Sequence, residues 1–75
     1  MVLWVVAGCL FEVSFDEPGW RLADPNAAVT QLAAVDRDGR HHLRFRAEQA
    51  GNIQLRFQRD AQFQVVSVRI APEDA

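Results

Sequence analysis

Three stretches of the chain place apolar and polar residues at alternate positions, and that period of two decides the fold class. In "LFEVSF", Phe11, Val13 and Phe15 fall on one side while Glu12 and Ser14 fall on the other. In "HHLRFRA", His41, Leu43, Phe45 and Ala47 alternate with His42, Arg44 and Arg46. In "NIQLRFQ", Ile53, Leu55 and Phe57 alternate with Gln54, Arg56 and Gln58. A helix cannot bury such a pattern on one face, whereas a half-buried strand does so automatically. Turn residues punctuate the runs: "DEPG" at Asp16–Gly19, "DRDG" at Asp36–Gly39 and a Gly-Asn pair at Gly51-Asn52. Acids, proline and glycine are what tight turns require.

The remaining segments supply further strands and the turns between them. "VLWVV" (Val2–Val6) is a first strand, with Gly8 as the turn that follows it. The same stretch, "VVAGC", also resembles a lipoprotein cleavage site. A secretory signal needs a basic start and an apolar segment of about 7–15 residues. No arginine precedes Arg21 and the apolar run is only Met1–Val6, so lipid attachment at Cys9 is not expected and Cys9 is read as a small buried hydrophobe. Trp20–Leu22 starts another short strand, with Trp20 as a core pillar. Asp24 and Pro25 have the form of a helix start. The stretch that follows is read as a loop or a single helical turn to Ala28, then a strand over Val29–Val35. In the last run, Gln62–Ile70, Phe63 and Val65 are out of phase with Val66, Val68 and Ile70, which predicts a β-bulge near Val65 and Val66.

Six to seven short strands and little or no helix make the expected fold all-β, an antiparallel β-sandwich or small barrel. Residues 1–71 form its single domain and residues 72–75 a polar tail. The expected inner face includes Phe11, Val13, Phe45, Leu55, Phe57 and Val68. With 75 residues, 49% of them hydrophobic, and one cysteine, stability must come from packing and not from a disulfide.

Chemistry-bearing motifs are scarce. His41 and His42 are adjacent on a strand and face opposite ways, so they do not share a metal ion. No partner stands at ligand spacing and no nucleophile motif occurs, so no catalytic residue, metal or cofactor is expected. The net charge of −2 argues against a nucleic-acid partner, and no apolar run approaches the roughly 20 residues of a membrane-spanning helix. Arg44, Arg46 and Arg56 are expected on one outward face of a hairpin formed by the second and third alternating runs, where arginine stems cover apolar surface.

Taken in order, "GCLFEVSFDEPGWRL", "RHHLRFRAEQAGNIQLRFQRD" and "VVSVRI" resemble the small immunoglobulin-like domains of bacterial cell-envelope proteins, a group similar to chagasin-type inhibitors of cysteine proteases. The shared layout is an early Gly-x-x-Phe-Glu-Val strand, a Pro/Gly turn ending in an aromatic, a Phe-x-Ala-x-x-x-Gly turn, then Leu-x-Phe and a valine-rich last strand. The resemblance implies an antiparallel immunoglobulin-like β-sandwich and a module acting outside the cytoplasm, in the periplasm or cell envelope, with a peptidase as partner if it is inhibitor-like. Chagasin-type inhibitors carry Asn-Pro-Thr-Thr-Gly in their first loop. Here that loop is "DEPGW", which keeps Pro18 and Gly19 and lacks the asparagine and threonines.

In such a sandwich the turns at Asp16–Gly19, Asp36–Gly39 and Arg59–Ala61 fall at one end and Ala47–Asn52 at the other. Loops on a rigid scaffold are where binding resides. The expected partner is a protein, and the expected contact residues are Asp16, Glu17, Pro18, Gly19, Arg37, Arg59 and Asp60.

Overall fold

A computed structural model describes residues 2–73. Seven strands form: β1 (Val2–Val6), β2 (Leu10–Phe15), β3 (Arg21–Leu22), β4 (Val29–Arg37), β5 (Arg40–Ala47), β6 (Gly51–Arg59) and β7 (Gln62–Ala71). There is no helix among the described residues, and hence none long and apolar enough to cross a membrane. The strands make two sheets, β1-β7-β6-β3 and β2-β5-β4. Every pairing is antiparallel except that of β1 with β7.

The alternating runs turn their apolar sides toward each other across the gap between the sheets. Val13, Leu43 and Phe45 of the second sheet and Leu55, Phe57 and Val68 of the first are almost completely buried. Aromatic rings run through this core in an unbroken series. Phe11 stacks on Phe45 (5.3 Å between centroids), Phe45 meets Phe57 edge-on (6.1 Å), Phe57 meets Phe15 edge-on (5.2 Å), and Phe15 stacks on Trp20 (4.9 Å). Edge-on and offset contacts are the arrangements that ring quadrupoles favour. Phe11, at one end of the series, is half-buried. Among the described residues no polar or charged residue is buried, so the core carries no desolvation cost of that kind.

Two turns show why particular residues stand where they do. After β1 the chain must leave the first sheet for the second, and Gly8 does this at φ 90°, a region closed to most side chains. Its N–H donates to Ala47 O (2.8 Å) and the Cys9 N–H donates back to Val6 O (3.0 Å). Between β4 and β5, Asp38 and Gly39 both have positive φ (54° and 76°), the two-residue turn whose twist matches paired strands.

Three expectations are corrected. β5 and β6 are not a hairpin but belong to different sheets, joined by a link over residues 48–50. Glu48 N–H and Gln49 N–H both donate to Ala28 O, which ties that link to the start of β4 and carries the chain across the core. Arg44 and Arg46 therefore lie on the outer face of the second sheet and Arg56 on that of the first, with no common arginine stripe. β7 contains no bulge: β6 and β7 pair in unbroken register from Gly51↔Ile70 to Arg59↔Gln62. Val66, Val68 and Ile70 face inward while Phe63 and Val65 face solvent, where the Arg56 guanidinium covers the Phe63 ring at 5.2 Å. The irregularity is in β4 instead, between Gln31 and Ala33. Cys9 is exposed, not buried. It stands in the turn between the sheets, beyond both inner faces, and Ala47 fills that end of the core in its place.

The segment after Asp24 is a loop and then a strand, β4, starting at Val29. The Ala28 N–H donates to Asn26 Oδ1 (2.9 Å), so the asparagine closes a local turn there instead of a helix. Trp20 is buried in the core. Of the polar tail, Asp74 and Ala75 lie outside the described residues.

Candidate functional site at the turn-bearing end

β2 and β3, β4 and β5, and β6 and β7 are joined at the same end of the molecule. Arg59, the last residue of β6, fastens two of these connections together. Its Nε donates to Pro18 O (2.8 Å), its Nη1 lies 3.1 Å from Glu17 Oε2, and Nη1 also reaches Gln62 Oε1 at 3.4 Å. The arginine stem runs beside Gly19, which turns the chain at φ 91°. A guanidinium suits this task because its donors spread in one plane and hold their charge at any ordinary pH.

The third connection is tied in from the other side. Arg40 Nη2 lies 3.5 Å from Asp16 Oδ1. His41 faces acceptors with both ring nitrogens: Nε2 is 2.9 Å from Trp20 O, and Nδ1 meets the Asp36 carboxylate. The ring thereby bridges the β2–β3 connection and the end of β4. Between these ties lies a shallow depression of about 170 Å³ edged by Asp16, Glu17, Trp20, Arg40 and Gln64.

Of the residues singled out in the sequence, Asp16, Glu17, Pro18, Gly19 and Arg59 are brought together. Asp60 takes up the left-handed position of the β6–β7 turn (φ 52°), with its carbonyl accepting from Gln58 Nε2 (3.0 Å). Arg37 stands across the β4–β5 turn from Arg40. Among the described residues no hydrogen bond or ion pair joins it to the Arg59 cluster. Arg40, expected among the charges of this end, is found there, and His41 and the Trp20 carbonyl join it although sequence reasoning left them out. A backbone carbonyl has no side-chain signature, so nothing in the sequence points to the histidine that caps it.

The opposite end has its own tie. Arg46 Nε and Nη2 donate to the two Glu48 carboxylate oxygens (2.9 and 3.2 Å), and Thr30 Oγ1 donates to Oε2 (2.9 Å). The Arg46 bond first, and the Thr30 bond after it, hold the Glu48 carboxyl below the usual carboxylate range. The same Glu48 bond raises Arg46.

One cluster has the composition of a hydrolase triad without its geometry. On the outer face of β2 and β5, His42 Nδ1 is 2.8 Å from Ser14 Oγ and 3.3 Å from Glu12 Oε1. A relay needs the serine on one ring nitrogen and the acid on the other. Here both crowd the same nitrogen, and Glu12 is also bonded to Arg44 (3.1 Å). The trio is a cross-strand contact, of the kind that holds neighbouring strands together. Among the described residues, no three His, Cys, Asp or Glu side chains converge as a metal would require.

No family model, curated protein or solved structure matches the chain.

Proposed function

We propose that this chain is a non-catalytic interaction module that takes a protein partner on its turn-bearing end. The observation that carries the reading is the Arg59 tie, which holds the Asp16–Gly19 connection against the β6–β7 turn and so presents two loops as one preformed surface. Preformed loops lose little ordering entropy on binding. The charges there are mixed, Asp16, Glu17, Asp36, Asp38 and Asp60 against Arg37, Arg40 and Arg59, which suits a protein's mosaic surface better than a polyanion. The shared-nitrogen geometry of Ser14, His42 and Glu12 supports the non-catalytic part.

The strand order supports the immunoglobulin-like resemblance. β2-β5-β4 and β3-β6-β7 follow the B-E-D and C-F-G order of that sandwich, with β1 beside the last strand instead of the second. Through that resemblance we place the module in the envelope of a bacterium, outside the cytoplasm. Inhibition of a cysteine protease is the second reading, supported by the gathering of three connections at one end. The absence of the asparagine and threonines from "DEPGW" counts against it.

Photo-crosslinking separates these. A crosslinking amino acid placed at Glu17, Asp38 or Asp60 should yield one protein adduct in cells, while the same group at Arg44 or Gln54, on the two outer sheet faces, should not. Adducts from Arg44 or Gln54 alone would sink the loop-end reading. Inhibition of papain by the purified chain, lost in Arg59→Ala, would favour the inhibitor reading.

A further inference from the structure

The four open edges of the two sheets are not alike. β3 offers only two residues, β4 is bulged at Gln31/Ala33 and ends in Asp36 and Arg37, and β2 carries Glu12. Short length, bulges and charges are the devices that stop a strand edge from pairing with another chain. β1 has none of them. Val2–Val6 contains no charge and no proline, its pairing with β7 is regular, and Val2, Trp4 and Val6 are 53%, 72% and 43% exposed.

The hydrogen-bonding groups of that edge can be assigned. Ala7 N–H donates to Ala71 O of β7 (2.8 Å). N–H groups turn to opposite sides at successive residues of a strand, so Leu3 and Val5 also face β7. Val2, Trp4 and Val6 then face the open edge, and the Val6 carbonyl, which accepts from Cys9, is turned that way too.

We propose that β1 is a self-association edge, at which two copies of this chain pair antiparallel about a two-fold axis through Trp4 and join two four-stranded sheets into one of eight. The occupant is argued from the strand's own sequence, which is nearly palindromic in side-chain type. Val2 falls opposite Val6 of the second copy, Leu3 opposite Val5, and Trp4 opposite Trp4. An isologous contact requires this self-complementarity. The two Trp4 residues exchange their N–H and C=O groups, and each Val6 N–H finds the Val2 carbonyl of the other copy.

The charges nearest the axis also permit it. Arg69 covers one face of the Trp4 ring at 4.8 Å. In the dimer the two Arg69 backbones stand three strand spacings apart, about 14 Å, and each guanidinium is held on the Trp4 ring of its own copy. Five residues a side bury less than the roughly 1,200 Å² of a standard interface. The dimer is therefore weak and dependent on concentration.

Sedimentation velocity on the whole chain from about 10 µM to about 1 mM tests it, a range chosen for an interface of that size. Wild type should pass from monomer toward dimer. Val6→Pro deletes an edge-facing N–H and leaves the bonds to β7 in place, since a proline is tolerated where its nitrogen faces solvent. Trp4→Lys sets two like charges across the axis. Each should weaken association at least tenfold, whereas Phe63→Ala, on the same outer face but away from the edge, should not. Iodide quenching of tryptophan emission should fall with rising concentration in wild type, because Trp20 is already buried and Trp4 is the ring that becomes covered. A wild-type chain that stays monomeric at the highest concentration, or a dimer unmoved by both edge variants, overturns the proposal. Should Val6→Pro fail to fold, Trp4→Lys decides alone, because its side chain projects into solvent.

Discussion

Truncating Phe57 and truncating Phe63 delete the same atoms, so the difference between the two isolates what the core contributes. Phe57 is 0% exposed and meets two other rings, Phe45 and Phe15, edge-on. Phe63 is 53% exposed and its ring is covered by the Arg56 guanidinium. Phe57→Ala should cost about 3–5 kcal/mol, because the Phe45 and Phe15 rings that face it, both carried by the second sheet, are held by their own packing and cannot collapse into the void. Against a total of about 4–11 kcal/mol for a chain of this length, at least a quarter of the stability is at stake. The melting temperature should fall by more than about 12 °C, at about 4 °C or more for each kcal/mol in a domain this small. Phe63→Ala removes a surface cation–π contact of about 0.5–1 kcal/mol and should shift melting by only a few degrees. Thermal and urea unfolding by circular dichroism supply both numbers. Emission from buried Trp20, stacked on Phe15, reports whether the core itself loosens. If Phe57→Ala melted within a degree or two of wild type, or if Phe63→Ala cost as much as Phe57→Ala, the assignment of the two faces of the first sheet would be wrong.

Arg59→Ala should cost about 1–2 kcal/mol through the lost charged bond to the Pro18 carbonyl. Its signature should be local, with faster amide exchange over residues 16–20 and none over β5; uniform acceleration across the chain would show that Arg59 is no tie. Glu48 supplies a pH dependence of known sign. Its carboxyl is lower in the folded state than the ordinary value of about 4.5, so its stabilising contribution is complete above that value and is lost as pH falls through the folded one. Glu48→Gln should therefore flatten the acid limb of a plot of urea midpoint against pH below about 4.5, and superimposable limbs for wild type and variant would refute it.

The strands were legible because each alternating run carries its own burial record: Val13, Leu43 and Leu55 had to face one way whatever the topology. Which strands share a sheet was not. β5 and β6 bury the same alternate positions whether they lie side by side or face each other across the core, and the link over residues 48–50 is short enough for either. The phase of β7 failed for a related reason. Phe63 and Val65 are as apolar as the inward Val66 and Val68, so periodicity alone chose no side, and only the unbroken register with β6 decides it. At the turn-bearing end, Pro18, Gly19 and Asp60 announced turns by their backbone requirements. The bond from Arg59 to a carbonyl 41 residues away left no mark in the sequence, because any residue supplies a carbonyl.

The parallel alignment of β1 with β7 governs how this domain would respond to being pulled. β1 runs from Val2, opposite Ser67, to Val6, opposite Ala71, so the chain enters at one pole of the pair and departs at the other. Tension applied through Val2 and Ala71 drags the two strands past each other along their common axis. The bonds between parallel strands are evenly spaced, so they share that load and must rupture together, unlike a hairpin opened from its free end one bond at a time. In a string of such units, the domain would act as a mechanical clamp, and its lifetime under force would be set by how fast this one pair of strands slides apart.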